Sequence, residues 1–417
     1  MRLATRLRTS SALRVAPFAL ALPLFYYVDG SGNPPFNAYG YAPTVLSYAL
    51  AFCYSFAYAV ASALGAWEAG SLRQGGIWEL APFRSRTAIA AESLAPVVGL
   101  AWLMMLTPAG LALIDAGVWP SPVSLGPLAV GLMVSIGHAV IGFCVGMKVP
   151  RTICAPLLAV TVWILVAFSR AVDVPWPRHL SGQQTEPLMF GETFSFAALW
   201  PHVAFTGSLA LAACVLWMRR RAVALVVAAA VALLGTISAW AAVKDWDFNP
   251  KLNTQQVSTR CISGGSGSAL SVCMPSVTSA ALPNARSETL KVLQDFDAAG
   301  VPRHPDFVTD TLADGRFSIP STDKAWRVPL TEAAEQGNLR FEITLRAIGF
   351  TCSRPDPDLR RLSMAWAAHV TGTTDDWEKL RLRIKGPTEH QMQRIYKLPR
   401  QTQASWFNRT VLSACQG

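Results

Sequence analysis

Seven apolar runs dominate the first 243 residues: 15–28, 41–66, 87–114, 127–147, 153–168, 196–218 and 222–243. A helix needs about 20 predominantly apolar residues to cross the hydrocarbon of a bilayer. Backbone in lipid must also satisfy its own hydrogen bonds, which leaves helices as the form such runs adopt. The pattern predicts a mostly α, polytopic membrane bundle of about seven spans, with 15–28 and 153–168 the shortest. Composition agrees: 52% of residues are hydrophobic and only 15% charged, against about 25% charged in soluble proteins.

Charge divides the chain. Residues 1–243 hold 14 Lys and Arg and 8 Asp and Glu, whereas 244–417 hold 22 and 18. The first part reads as a membrane domain, 1–243, and the second as a soluble domain, 244–417. Residues 1–14 carry Arg2, Arg6, Arg8 and Arg14 with no acid. A signal peptide begins in the same way. No convincing small-x-small cleavage site follows, and Phe25, Tyr26 and Tyr27 before Asp29 read as an aromatic exit from a retained first span. Counting from a cytoplasmic N-terminus, the segments 1–14, 67–86, 148–151 and 219–221 share one side and hold twelve Lys and Arg, while the short loops opposite hold Arg170 and Arg178. Such asymmetry orients a membrane protein. It puts everything after Val243 outside a bacterial plasma membrane, and it accounts for much of the net charge of +10 without nucleic acid as a partner; the bilayer is the partner it implies.

Cysteines divide at the same place. Cys53, Cys144, Cys154 and Cys214 fall in or beside apolar runs, where a thiol acts as a small hydrophobe. Cys261, Cys273, Cys352 and Cys415 lie in the soluble part; four there suit two disulfides in an oxidising compartment. Of three connectivities, Cys261 with Cys273 and Cys352 with Cys415 is the simplest closure, a local loop plus a tie from mid-domain to terminus; the other two stay open. No pair has zinc-ligand spacing, and no metal or cofactor is expected.

The segment 67–86 interrupts the apolar runs with Glu68, Arg73, Glu79, Arg84 and Arg86 among Leu72, Ile77, Trp78, Leu80 and Phe83. It suits an amphipathic piece lying along a membrane surface, or an ordinary charged loop. Within the runs, Glu92 and His138 are costly ionisable residues and hence pathway candidates, His138 also suiting a bond to a neighbouring helix. Gly142 and Gly146 have the spacing that allows close helix approach. The connection 170–195, with Pro175, Trp176, Pro177, His179, Glu186, Met189 and Phe190, reads as an exposed loop that also suits a dip into the outer leaflet.

The soluble part reads as a helix-rich α+β domain. A helix is expected from Ser287 through Leu290, Leu293 and Phe296 to a stop at Gly300, a strand over 339–350, and helices over 360–370, 375–384, 389–398 and 402–414. The stretch with Lys379, Arg381, Arg383, Lys385, Arg394, Lys397, Arg400 and Arg409 reads as a solvated face, or as a surface for lipid headgroups or an acidic ligand. No phosphate loop, His-Glu-x-x-His, Gly-x-Ser-x-Gly or Cys-x-x-Cys occurs, so the chain is not expected to be an enzyme.

Glu68, Gly70, Arg73, Ile77, Leu80, Pro82, Arg84 and Arg86, the turn from Gly142 to Pro150, and Ala155-Pro156 give the membrane block its resemblance to the membrane subunit of type-2 ABC transporters, the exporter-type permeases. The soluble part is similar to a domain appended to actinobacterial permeases, with Cys261, Cys273, Leu398-Pro399, Trp406 and Cys415. The resemblance implies a separate ABC ATPase, contacted through a coupling helix carrying Glu68, Arg73, Trp78, Leu80, Arg84 and Arg86. It also implies a second permease subunit, in a homodimer or heterodimer, and short outer-leaflet helices in 170–195. The seventh span and the appended domain depart from the six-span pattern. A non-transporting receptor or scaffold, whose outer domain binds a peptide or envelope ligand, is the alternative.

Overall fold

A computed structural model describes residues 10–29, 39–80, 85–184, 186–218, 222–254, 257–264, 270–316, 319–381 and 389–416. The chain is mostly helical and divides into two compact units, Met1–Gln255 and Gln256–Gly417.

Among the described residues the first unit holds six single helices long and apolar enough to cross a membrane: α1 (Ser11–Val28), α5 (Arg86–Asp115), α6 (Gly126–Gly146), α7 (Arg151–Ala167, continued to Arg170 by a 3-10 turn), α8 (Phe196–Met218) and α9 (Ala222–Val243). Between α1 and α5 lie α2 (Ala42–Leu50) and α3 (Cys53–Gln74), a pair that passes the same test together but bends by 50° at its break. A one-turn helix, α4 (Ile77–Leu80), follows a Gly75-Gly76 turn in which Gly76 has φ +62°, a conformation that favours glycine. Serines start two of the long helices. Ser10 accepts from Ala12 N–H before α1, and Ser85 accepts from Ala88 N–H before α5, each satisfying a donor the first turn leaves unpaired.

The segment 67–86 is therefore not one surface-lying piece. Residues 67–74 extend α3, because Ala66, Ala69 and Gly70 continue its buried face; the chain turns only at the paired glycines.

The centre of the unit is the contact between α3 and α6, and it is made by backbone. An added Cβ on Gly142 would lie 2.1 Å from Ser62 O, one on Gly146 2.3 Å from Ala66 O, and one on Gly65 2.4 Å from Ala139 O. Without side chains at these positions the two helices meet main chain to main chain, as small residues permit between membrane helices. Tyr54, Tyr58, Leu50, Met104, Met105, Val134 and Phe143 pack around this seam. Most of α9, by contrast, is exposed: Val223, Leu225, Val226, Leu233, Leu234 and Ile237 face away from the unit.

The second unit contains a four-stranded sheet in the order β3 (Thr259–Ser263), β4 (Ser271–Pro275), β5 (Phe307–Asp310), β6 (Ala325–Val328), while β1 (Glu192–Phe194) and β2 (Leu252–Thr254) pair in the first unit. The β3–β4 pair is antiparallel, and β4, β5 and β6 are parallel. Helix α10 (Leu282–Ala298) connects β4 to β5; α11 (Leu330–Gln336), α12 (Leu339–Ala347), α13 (Pro357–Val370), α14 (Thr374–Arg381), α15 (Glu389–Tyr396) and α16 (Arg400–Ser413) follow β6. Val272, Met274, Phe296, Val308, Trp326, Ile343, Trp366 and Phe407 form the core.

Both cysteine pairs are at disulfide distance in the simplest connectivity. Cys261 and Cys273 are direct partners across β3 and β4, and Cys352 meets Cys415 across 63 residues. The expected strand over 339–350 is instead helix α12. Leu339, Ile343 and Ala347 repeat every four residues as well as every two, and they line a buried helical face. Helix α10 starts five residues before Ser287, with Pro283 in its first turn, where proline's fixed φ and missing N–H suit a helix start.

Substituting Gly142→Ala is expected to destabilise the first unit by about 1–3 kcal/mol through overpacking, whereas Gly207→Ala, where an added Cβ meets nothing within 4 Å, is expected to be neutral. Thermal melts of detergent-solubilised protein read the difference.

Candidate functional site

Residues 179–194, expected to be exposed, are largely buried. Leu180, Gly182, Gln183, Gln184, Leu188 and the stretch 190–194 all sit inside the first unit. Irregular backbone at such depth is tolerated only when protein satisfies its polar groups. Gly182 does this on both sides. Its carbonyl accepts from Tyr58 Oη at 2.8 Å on α3, and its N–H donates to His202 Nδ1 at 2.9 Å on α8. With φ +83°, and with an added Cβ only 2.8 Å from Val134 and 2.9 Å from Tyr58, only glycine fits there.

The next residue reaches the bent helix pair. Gln183 Nε2 donates to Ala51 O at 3.1 Å, a carbonyl at the break between α2 and α3. Farther along the loop, Thr44 on α2 donates to Met189 O at 3.4 Å, and Glu192 accepts from Met189 N–H at 2.8 Å. The loop thus seals the break in the bent pair.

His138 belongs to the same seam. Its ring stacks on Tyr58 with centroids 5.0 Å apart, and its Nδ1 lies 3.3 Å from Ser62 Oγ. Tyr58, Ser62, Gly182, His138 and His202 therefore form one connected polar cluster between α3, α6 and α8. Because Gly182 N–H donates to His202 Nδ1, the proton of that ring sits on Nε2. Around the cluster, Tyr54 Oη, Gln183 Oε1, Gln184 Nε2 and Thr193 Oγ1 are buried without a hydrogen-bond partner among the described residues. Such groups are uncommon in native interiors.

Glu92 lies near the start of α5. Trp102 on α5 donates to Leu132 O and Ser135 Oγ on α6, which fixes the antiparallel register. A rise of 1.5 Å per residue then puts Glu92 roughly 8 Å beyond His138 along the bundle.

Three of the residues expected to couple to a partner, Glu68, Arg73 and Trp78, hold contacts at or just beyond the C-terminal end of α3. Glu68 accepts from Ser11 N–H at 2.8 Å, Ser11 Oγ at 2.6 Å and Ser10 Oγ at 3.4 Å, a carboxylate at the positive end of α1. Arg73 donates to Met147 O at 3.3 Å and Val149 O at 3.4 Å, where α6 ends. Arg151, at the start of α7, donates to Ser71 Oγ and lies 4.8 Å over the Trp67 ring. Trp78 on α4 packs edge-on against Trp217 of α8 at 5.7 Å. Leu80 lies at the end of α4 and Arg86 at the exposed start of α5; Arg84 falls outside the described residues.

Sequence reasoning missed Tyr58, Gly182, Gln183 and His202. The rule that singled out Glu92 and His138 as ionisable residues within apolar runs applies equally to His202. Neither protein-family models, nor curated proteins, nor solved structures gave a match to this chain.

His179, outside the spans, bonds Asp247 O through Nε2 at 2.9 Å and meets the Trp246 ring at 5.1 Å. Burial pushes its pKa below the usual histidine range, the Asp247 carbonyl partly restores it, and the charge of Arg178 lowers it again. The folded protein favours the neutral ring, so its contribution is present above about pH 6.5 and is lost as pH falls toward the depressed value. Melting temperatures are expected to drop between pH 7.5 and 5, and His179→Gln is expected to flatten that dependence. Removing the acceptor by His202→Leu leaves a buried N–H unpaired at a cost of about 1–3 kcal/mol, and faster amide exchange over 180–184 is the expected readout.

Proposed function

We propose that the chain is the membrane subunit of an ABC exporter, driven by a separate ATPase that docks on the connection between α3 and α5. The observation that carries this reading is the cluster at the end of α3. Glu68 holds the start of α1, Arg73 the end of α6 and Arg151 the start of α7, while Trp78 touches α8. A push on the connection is thereby delivered to five helices at once. Closure of an ATPase dimer on ATP would move this cluster, and the spans would open their cleft to the other side.

In this reading the bent pair crosses as one span, for seven crossings in all, with the N-terminus cytoplasmic and the Cys-paired unit outside the plasma membrane. The twelve-to-two distribution of Lys and Arg supports that orientation. A second permease subunit, identical or different, completes the pathway. ATP hydrolysis belongs to the partner. A receptor or scaffold role is the second reading, favoured by the compact, Cys-paired second unit.

An affinity pull-down from native membranes distinguishes the two. Arg73 serves its own bundle, so the informative variant is Arg84→Glu with Arg86→Glu. The permease reading expects an ATPase retained by wild type and lost by the double variant at unchanged melting temperature. An intact wild type that retains no ATPase overturns it.

A further inference from the structure

We infer that residues 246–252, which follow α9, are a latch, and that the loop before α8 is a plug they hold over the polar cluster of Tyr58, Ser62, His138 and His202. With the latch released, the plug withdraws and the cluster opens to water.

The plug is seated at a polar cost. Gln183 Oε1, Gln184 Nε2 and Thr193 Oγ1 are buried without a hydrogen-bond partner among the described residues, and each would gain one in water. Gly182 and Gly191, at φ +83° and +84°, bracket the part that reaches the bent pair, and two such residues give a segment places to turn. The bundle holds this part by separate bonds, from Tyr58 and His202 to Gly182, from Gln183 to Ala51 and from Thr44 to Met189. Irregular backbone held in this way opens at lower free energy than the helices around it, unless something else retains it.

The latch retains it at both ends. At the first end, Trp246 packs with Leu180, Leu188, Phe194 and Val243, and its ring meets His179 at 5.1 Å and Lys251 Nζ at 5.4 Å. Arg178 donates to Phe248 O at 3.3 Å and lies 4.6 Å over the Phe248 ring. At the second end, Lys251 O accepts from Ser195 N–H at 3.2 Å and from Ser195 Oγ at 2.7 Å. From there β2 pairs with β1 residue for residue, Thr193 opposite Asn253. A segment that only connects two units is polar and makes few contacts, whereas this one is bonded along its length to the plug. Its other side is open, since Asp247, Phe248 and Asn249 are exposed. The latch is therefore released without moving a helix.

The latch belongs to the first unit alone and needs no ATPase, so its test is separate from the pull-down. The reporter is Val134→Cys on α6, because Val134 is buried and an added Cβ on Gly182 would lie 2.8 Å from it. The full chain in nanodiscs is treated with a membrane-impermeant sulfonated maleimide, and labelling is read by peptide mass spectrometry. The native Cys154, buried near the start of α7, is the internal reference. Trp246→Ala, and Asn253→Pro, which breaks the β1–β2 ladder, are each added to the reporter chain. Each is expected to speed labelling at 134 about tenfold, the effect of shifting an opening equilibrium by about 1.4 kcal/mol, and to leave Cys154 unchanged. Unchanged labelling at 134 in a folded variant, or a rise at 134 and at Cys154 in step, overturns the latch. If neither variant folds, Thr193→Cys with Asn253→Cys decides: cross-linking the two strands is expected to slow labelling at 134 relative to the same protein without the cross-link, and equal rates overturn the proposal.

Discussion

The main-chain contact between α3 and α6 is the constraint on which the first unit depends. Side chains elsewhere in the bundle fill space between cylinders, but at Gly65, Gly142 and Gly146 the cylinders themselves touch. Within lipid no hydrophobic gain separates helix from helix, so close packing and polar contacts must hold them together. Both occur along this seam. Ser62, whose carbonyl faces Gly142, also faces His138 with its hydroxyl. The approach that the glycines permit is what brings these polar groups within bonding distance.

The loop before α8 follows from the same economy. A bent helix exposes a carbonyl at Ala51, and a chain entering the bundle brings unpaired amides of its own. Gln183 and Gly182 bring these demands together, so that two irregular backbones satisfy one another through Ala51, Tyr58 and His202. At the other end of α3 the logic is electrostatic. Glu68 and Arg73 each meet the helix terminus of opposite partial charge. Charges that the sequence presents as a surface pattern are thus spent inside the unit.

Much of the fold was legible in the residues. Apolar run lengths marked the helices long and apolar enough to cross a membrane, the four-residue spacing of Gly142 and Gly146 marked a packing face, and four cysteines after residue 243 made two pairs. What escaped had two physical causes. The first is degeneracy of period: Leu339, Ile343 and Ala347 satisfy a strand and a helix alike, and tertiary burial chose the helix. The second is that polarity reports the chemistry of a residue and not its partner. The 170–195 connection carries the prolines and polar groups of an exposed loop, and only the facing Tyr58 and His202 make its burial affordable. Glu68 and Arg73 misled in the same way. Their helix-end partners are 57 and 74 residues distant in sequence, beyond the reach of local patterns.

The link from Glu68 to Ser10 and Ser11 also bears on how the chain is made. In a chain made from its N-terminus, the start of α1 precedes by 57 residues the carboxylate that holds it. The carboxylate belongs to α3, two helical segments farther along the chain. The start of α1 is therefore completed by a later helix. Its settled position is a property of the assembled group of helices, not of its own 18 residues.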